Sequence, residues 1–217
     1  MQRTLGLLTI TLTLLVSGCG VNSINSTPGS GKTATEPRNV SGFTGVKLEG
    51  SAQLTLEQTG TESLTITADD NLLPSLTSDV SGGVLTLGTK GSMSPSTPIL
   101  YKLTVKNLDE LTLGGSGTVS AKGLSANSLK LVIGGSGDMT VDGATERLEI
   151  LLAGSGSYRG DGLKARDVNI QILGSGDAIL AASDKLDVMI AGSGSVEYIG
   201  NPTVTTKSVG SGTVKKR

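Results

Sequence analysis

The 217-residue chain has few residue types with which to do chemistry. It contains no histidine and one cysteine, Cys19, so neither a Ser-His-Asp triad nor a Cys-His pair can assemble. In the second half of the chain six serines stand in Gly-Ser-Gly triplets: Ser116, Ser136, Ser155, Ser175, Ser193 and Ser211. A nucleophile elbow needs Gly-x-Ser-x-Gly, and none of the six matches it.

An all-oxygen metal site is the next candidate. Gly134-Gly135-Ser136-Gly137-Asp138 is similar to part of a calcium-binding nonapeptide roll. Its aspartate lies one position early, however, and the other triplets are followed by Thr118, Ser157, Asp177, Ser195 and Thr213. Polysaccharide chemistry would use clustered carboxylates, here Glu149, Asp167, Asp187 and Glu197. These are interspersed with Lys130, Lys164 and Arg166 in the manner of an ordinary mixed surface. One Phe, three Tyr and no Trp leave almost nothing to stack on a sugar. The sequence therefore predicts no enzyme, no cofactor and no metal.

The elements that position these residues are read from the triplet spacing, which is 20, 19, 20, 18 and 18 residues. A short, near-constant period is the signature of a solenoid, whose repeats bury their apolar edges only against one another. Before successive triplets lie Leu129–Ile133, Leu148–Leu152, Val168–Ile172 and Leu186–Ile190. In each, the first, third and fifth residues are aliphatic and the second is polar, which is strand alternation. A shorter extended piece follows each triplet, and then a second corner such as Lys122-Gly123-Leu124 or Asp142-Gly143-Ala144. A repeat this short has no room for a strand-helix unit and fits a parallel β-helix with turns stacked at about 4.8 Å. Six turns would make a rod about 29 Å long on that spacing. The triplets read as structural corners, glycine supplying backbone freedom and serine satisfying backbone groups at a thin edge.

The N-terminus carries an address. Met1-Gln2-Arg3 gives a short positive start, and Leu5–Val16 is apolar but too short for a comfortable membrane span. It ends in Leu15-Val16-Ser17-Gly18-Cys19, which resembles the lipobox of bacterial lipoproteins. That resemblance implies a signal peptide over 1–18, lipidation (palmitate among the acyl chains) at Cys19, and a membrane partner through the anchor. With Gly20 rather than aspartate next, it implies the outer membrane, the side facing left open. Residues 19–39 read as the lipidated cysteine and a flexible tether rich in Asn, Ser, Thr, Pro and Gly. Within it, Gly29-Ser30-Gly31-Lys32-Thr33 matches the end of a phosphate-binding loop. Ser26 stands where that motif needs its first glycine, and no strand precedes it.

Residues 40–217 read as the folded solenoid, with irregular N-terminal turns that seal one end and regular repeats from about 108. Val80–Leu87 reads as a hairpin or bulged strand. The chain ends in Lys215-Lys216-Arg217, whose charge discourages edge-to-edge pairing. Glycine at 32 residues is about twice its usual share, and no long helical pattern appears, so the fold class is all-β. Loss of Arg3 with the leader leaves 17 basic residues against 19 acidic, and there is no basic stripe. Nucleic acid is not expected as a partner.

The segment Arg38-Asn39-Val40-Ser41-Gly42-Phe43-Thr44-Gly45-Val46, the stretch Ala68-Asp69-Asp70-Asn71-Leu72 and the Gly-Ser-Gly array together resemble a bacterial family. It is the auto-transporter adhesin head, or GIN, domain family, and the resemblance spans about residues 38 to 214. It implies a right-handed β-helix, a cell-envelope location and no established enzymatic activity, and it assigns no functional residue. Two functions remain open. One is a non-catalytic binding or adhesion rod with a protein or glycan ligand. The other is a structural or stress-related envelope scaffold that self-associates as a homo-oligomer without an external ligand. A lipid-binding role is a weaker third.

Overall fold

The computed structural model describes residues 26–217. Cys19 and the lipobox lie outside these residues. Two short strands, β1 (Thr27–Pro28) and β2 (Thr33–Arg38), come first. The first corner follows, between β3 (Gly45–Gly50) and β4 (Gln53–Gln58). An excursion then runs through β5 (Ser63–Asp69), a 3-10 turn at Leu73–Ser75, β6 (Leu76–Ser81), β7 (Val84–Thr89), β8 (Met93–Ser94) and β9 (Leu100–Val105). The regular array comprises β10 (Glu110–Gly115), β11 (Thr118–Gly135), β12 (Asp138–Gly154), β13 (Ser157–Gly174) and β14 (Asp177–Gly192). It closes with β15 (Ser195–Ile199), β16 (Thr203–Gly210) and β17 (Thr213–Lys216).

Successive turns pair in parallel with the expected phase. Leu131 sits opposite Ile150, Ile150 opposite Ile170, and Ile170 opposite Val188. All four are buried, while Lys130, Glu149 and Asn169 beside them are exposed. The result is an all-β solenoid of about five turns. Each regular turn has three faces. The first leads into the triplet (Leu129–Gly135 and its equivalents), the second leaves it (Thr118–Ala121), and a short third face follows the second corner (Leu124–Ala126).

The irregular spacing has a location. Register breaks fall between Ala121 and Leu124, between Thr140 and Gly143, between Gly160 and Lys164, and between Ala165 and Asp167. The turns therefore gain or lose residues at the second corner and third face, while Gly115, Gly135, Gly154, Gly174 and Gly192 stay in unbroken register.

The N-terminal region departs from the expectation of irregular coil turns. It is one coil turn, β3 and β4, interrupted by antiparallel strands that fold over its end. β7 runs parallel below β3 and turns back as a hairpin with β6. β9 lies parallel below β4, with β5 and then β2 antiparallel beyond it. The tether reading of 19–39 is thereby corrected over its described part, because β2 is an edge strand of the main sheet. Ala34, Glu36 and Arg38 face the same side as Ala68, Ile66 and Leu64. Composition hides this strand because two of its three inward positions, Glu36 and Arg38, are charged side chains whose stems cover the core end. Arg38 pairs with Glu36 at 3.3 Å and donates to the Leu73 carbonyl at 2.9 Å. The other end has no such cover among the described residues: β16 is exposed along its whole length.

Candidate binding groove

The third face is concave. Its strands carry small residues, Ala126, Thr145, Ala165 and Ala182, in one column from turn to turn. With the turns beside them they form a groove of about 1160 Å³ reaching from Thr44 and Asn107 to Gly200 and Asn201, so that it crosses every regular turn. One wall is a charged ladder. Arg166 contacts Glu146 at 3.3 Å and Asp184 at 3.1 Å, joining three successive turns. Asn127, Ser128, Ser183 and Lys164 add donors and acceptors, and Thr145 donates to the Arg147 carbonyl at 3.0 Å. All three ladder residues are exposed, so the pairs contribute little stability. Their groups remain free to exchange partners with a polar, extended ligand. The sequence carries one trace of the groove, the small residue (Ala126, Thr145, Ala165 or Ala182) that follows each second corner.

The six triplet serines stack at the opposite corner. Each backbone N–H donates to the glycine carbonyl one turn below, for example Ser136 to Gly115 at 3.0 Å and Ser155 to Gly135 at 2.9 Å. The hydroxyls are solvent-exposed. Neither glycine has room for a Cβ, which on Gly135 would lie 2.3 Å from the Gly115 carbonyl oxygen, and they differ in conformation. Gly135 has φ of 143°, and a Cβ on Gly137 would lie 2.5 Å from the Gly117 carbonyl oxygen and strike Leu113. Gly50-Ser51 takes the same corner one turn earlier, Gly50 lying opposite Gly115.

The candidate carboxylates are not gathered. Glu149 and Asp187 share a column with Asn169 between them, about 10 Å apart on the sheet spacing. Asp187 is held by Lys185 at 2.6 Å, Asp167 lies between Arg147 and Lys185, and Glu197 faces Arg217 at 3.9 Å on another strand. Among the described residues no group of three or more acidic, Cys or His side chains is placed to hold a metal ion.

The loop-like motif at Gly29–Lys32 has its own partner. Asp69, fully buried, accepts hydrogen bonds from the N–H groups of Gly31 (2.8 Å), Ser96 (2.8 Å) and Thr97 (3.1 Å). The Ser30 hydroxyl donates to Asp70 at 2.6 Å, its N–H donates to Asn71 at 2.9 Å, and the Asn71 amide donates to the Pro28 carbonyl at 2.8 Å. The backbone donors that could cradle a phosphate are thus engaged by the chain's own carboxylate and amide. Burial pulls the Asp69 carboxyl upward, but the N–H groups of Thr97, Ser96 and Gly31 outweigh it and leave it below its ordinary value. The Ser30 hydroxyl, against some burial, does the same for Asp70.

The outer surface of the first face is less polar than the second-position residues suggest. Thr112, Val132, Leu151, Gln171 and Met189 form one outward column, and Gly114, Gly134, Ala153, Leu173 and Ala191 form the next. None is charged. Leu173 and Met189 are 46% and 44% exposed, and Val209, one turn further, is 77% exposed.

Stacked parallel turns, a glycine-serine corner and a groove running the length of the stack define a β-solenoid whose grooved face spans several turns. The chain belongs to the family described as "Putative auto-transporter adhesin, head GIN domain", whose model matches residues 42–202. It is similar to a crystal structure of a "putative adhesin" from Parabacteroides merdae, at 26% identity and a TM-score of 0.61, covering 88% of this chain and 99% of that one. A "Putative lipid binding protein" from Parabacteroides distasonis has 25% identity and a TM-score of 0.60 over the same shares. A "putative adhesin" from Bacteroides fragilis shares the fold at 22% identity, with a TM-score of 0.70 over 88% of this chain and all of that one. None of the curated proteins matches the chain.

Proposed function

We propose that the protein is a non-catalytic, lipid-anchored binding module of the cell envelope that offers its third-face groove to an extended polar ligand in adhesion. The groove's continuity across every regular turn carries this reading, since a linear ligand laid along it meets a repeated set of donors and acceptors. Adhesin names among the relatives support it. The anchor is Cys19, and the location is the outer membrane.

The test applies protease and an impermeant label to intact cells, with lysed cells as control, to the parent chain and to Cys19→Ala. Attack on intact cells, with release of Cys19→Ala into the soluble fraction, is the expected result. Full protection until lysis would overturn adhesion and leave a periplasmic scaffold, for which the open edge of β16 gives the means of self-association.

A further inference from the structure

The uncharged outward strip on the first face has no partner among the described residues. We propose that it is a bilayer-contacting surface, so that the rod lies along the membrane with Leu151, Leu173 and Met189 at the headgroup boundary. The inference rests on the Cys19 anchor proposed above.

Five turns at 4.8 Å and two outward columns give an area of about 300 Å². That is the size of the largest apolar patch on an ordinary monomer, which often has a function, although Thr112 and Gln171 interrupt this one. A second copy is the poorer occupant. Two such strips would bury about 600 Å² together, roughly half of what a specific interface needs. A lipid surface meets no such threshold, because an anchor already holds the chain beside it.

Reach points the same way. The strap around Ser30 and Gly31 is fixed by Asp69 and Asp70. Ser26 is the first described residue, seven positions beyond Cys19, a span of at most about 25 Å of extended chain. The rod is thereby held close to the bilayer. Lys207 ends one column of the strip and Lys215 and Lys216 lie on the adjacent face, where they suit anionic headgroups, while the neighbouring outward column of Glu110, Lys130, Glu149, Asn169 and Asp187 forms a charged border. At the other end Lys47 and Glu49 neutralise each other at 2.7 Å. The groove lies on a different face and stays open.

The chain has no tryptophan, so a single introduced one reports alone. The protein from Cys19 onward, which keeps every described element, is coupled through that sole cysteine to a maleimide-headgroup lipid. The vesicles contain phosphatidylcholine and phosphatidylglycerol with brominated acyl chains. Leu173→Trp should lose most of its emission and shift to the blue, whereas Asn127→Trp, in the groove, should keep its emission. Adding Met189→Asp to Leu173→Trp should abolish the quenching at an unchanged urea midpoint. Unquenched Leu173→Trp, or equal quenching at both positions, overturns the proposal. A doubled mass of the lipid-free parent chain in sedimentation, lost in Met189→Asp, assigns the strip to a second copy and overturns it too. Because the anchor is supplied chemically, this outcome is independent of whether cells lipidate Cys19, which the mass of the native N-terminal peptide reads separately.

Discussion

Tyr158 is the one large aromatic in the column Val119, Met139, Tyr158, Ala178 and Val196, and its hydroxyl is buried without a hydrogen-bond partner. Burial pushes its ionisation well above the ordinary tyrosine range, so the group is a neutral phenol. Room for the ring tip comes from Gly160, where any Cβ would collide with the Tyr158 hydroxyl and ring. Tyr158→Phe should therefore be neutral or stabilising by up to about 1 kcal/mol, since it removes an unsatisfied polar atom. Gly160→Ala should cost on the order of 1–3 kcal/mol through overpacking. Urea midpoints check both, and a stability loss in Tyr158→Phe would mean that the hydroxyl has a partner. Asp69 and Asp70 make a second residue-scale prediction. Both carboxyls sit below their ordinary value of 3.8 in the folded chain. The stability they contribute is complete above that value and is lost as pH falls through the lowered folded values. Amide exchange in β1 and β2 should rise in that acidic window while β11 to β14 stay protected, and Asp69→Asn should show the rise at neutral pH.

Strand phase is the prediction that belongs to the elements. Ile150→Asp or Ile170→Asp should unfold the stack cooperatively, because each places an unpaired charge in a closed aliphatic column. Glu149→Ala or Asn169→Ala should change stability by less than about 0.5 kcal/mol. Thermal melts that show equal losses at both kinds of position would invert the assigned faces. Most of this level is legible in the sequence, since period-two alternation and glycine corners are local signals. The same alternation marks Val132, Leu151 and Met189 as outward and apolar, but only the turn-to-turn register joins them with Leu173 into one strip. β2 escapes because two of its three inward positions are Glu36 and Arg38, which leave Ala34 alone and make no apolar pattern. The groove escapes as well: its floor is small residues that read as corner, and its concavity comes from stacking three or more of them.

At the scale of the molecule the two ends are unlike. The N-terminal end is closed by the β6–β7 hairpin, by β2 and β5, and by the Glu36–Arg38 pair over the core. The C-terminal end leaves Val204 and Val209 exposed on an outer strand with Lys207 between them. Inward-pointing charge and covering strands suppress sheet growth at a closed end. Any lengthening of the stack, by added turns or by another chain, therefore proceeds from β16 and β17. The corner geometry has a further consequence. Every insertion and deletion among the regular turns falls at the second corner or the third face, while the glycine-serine seam keeps strict register. The molecule is in effect built like a bound book, with a spine that tolerates no change of pitch and a fore-edge that does. Loops could be grafted along the groove, turn by turn, to alter what it grips, and the fold would register none of it at the spine.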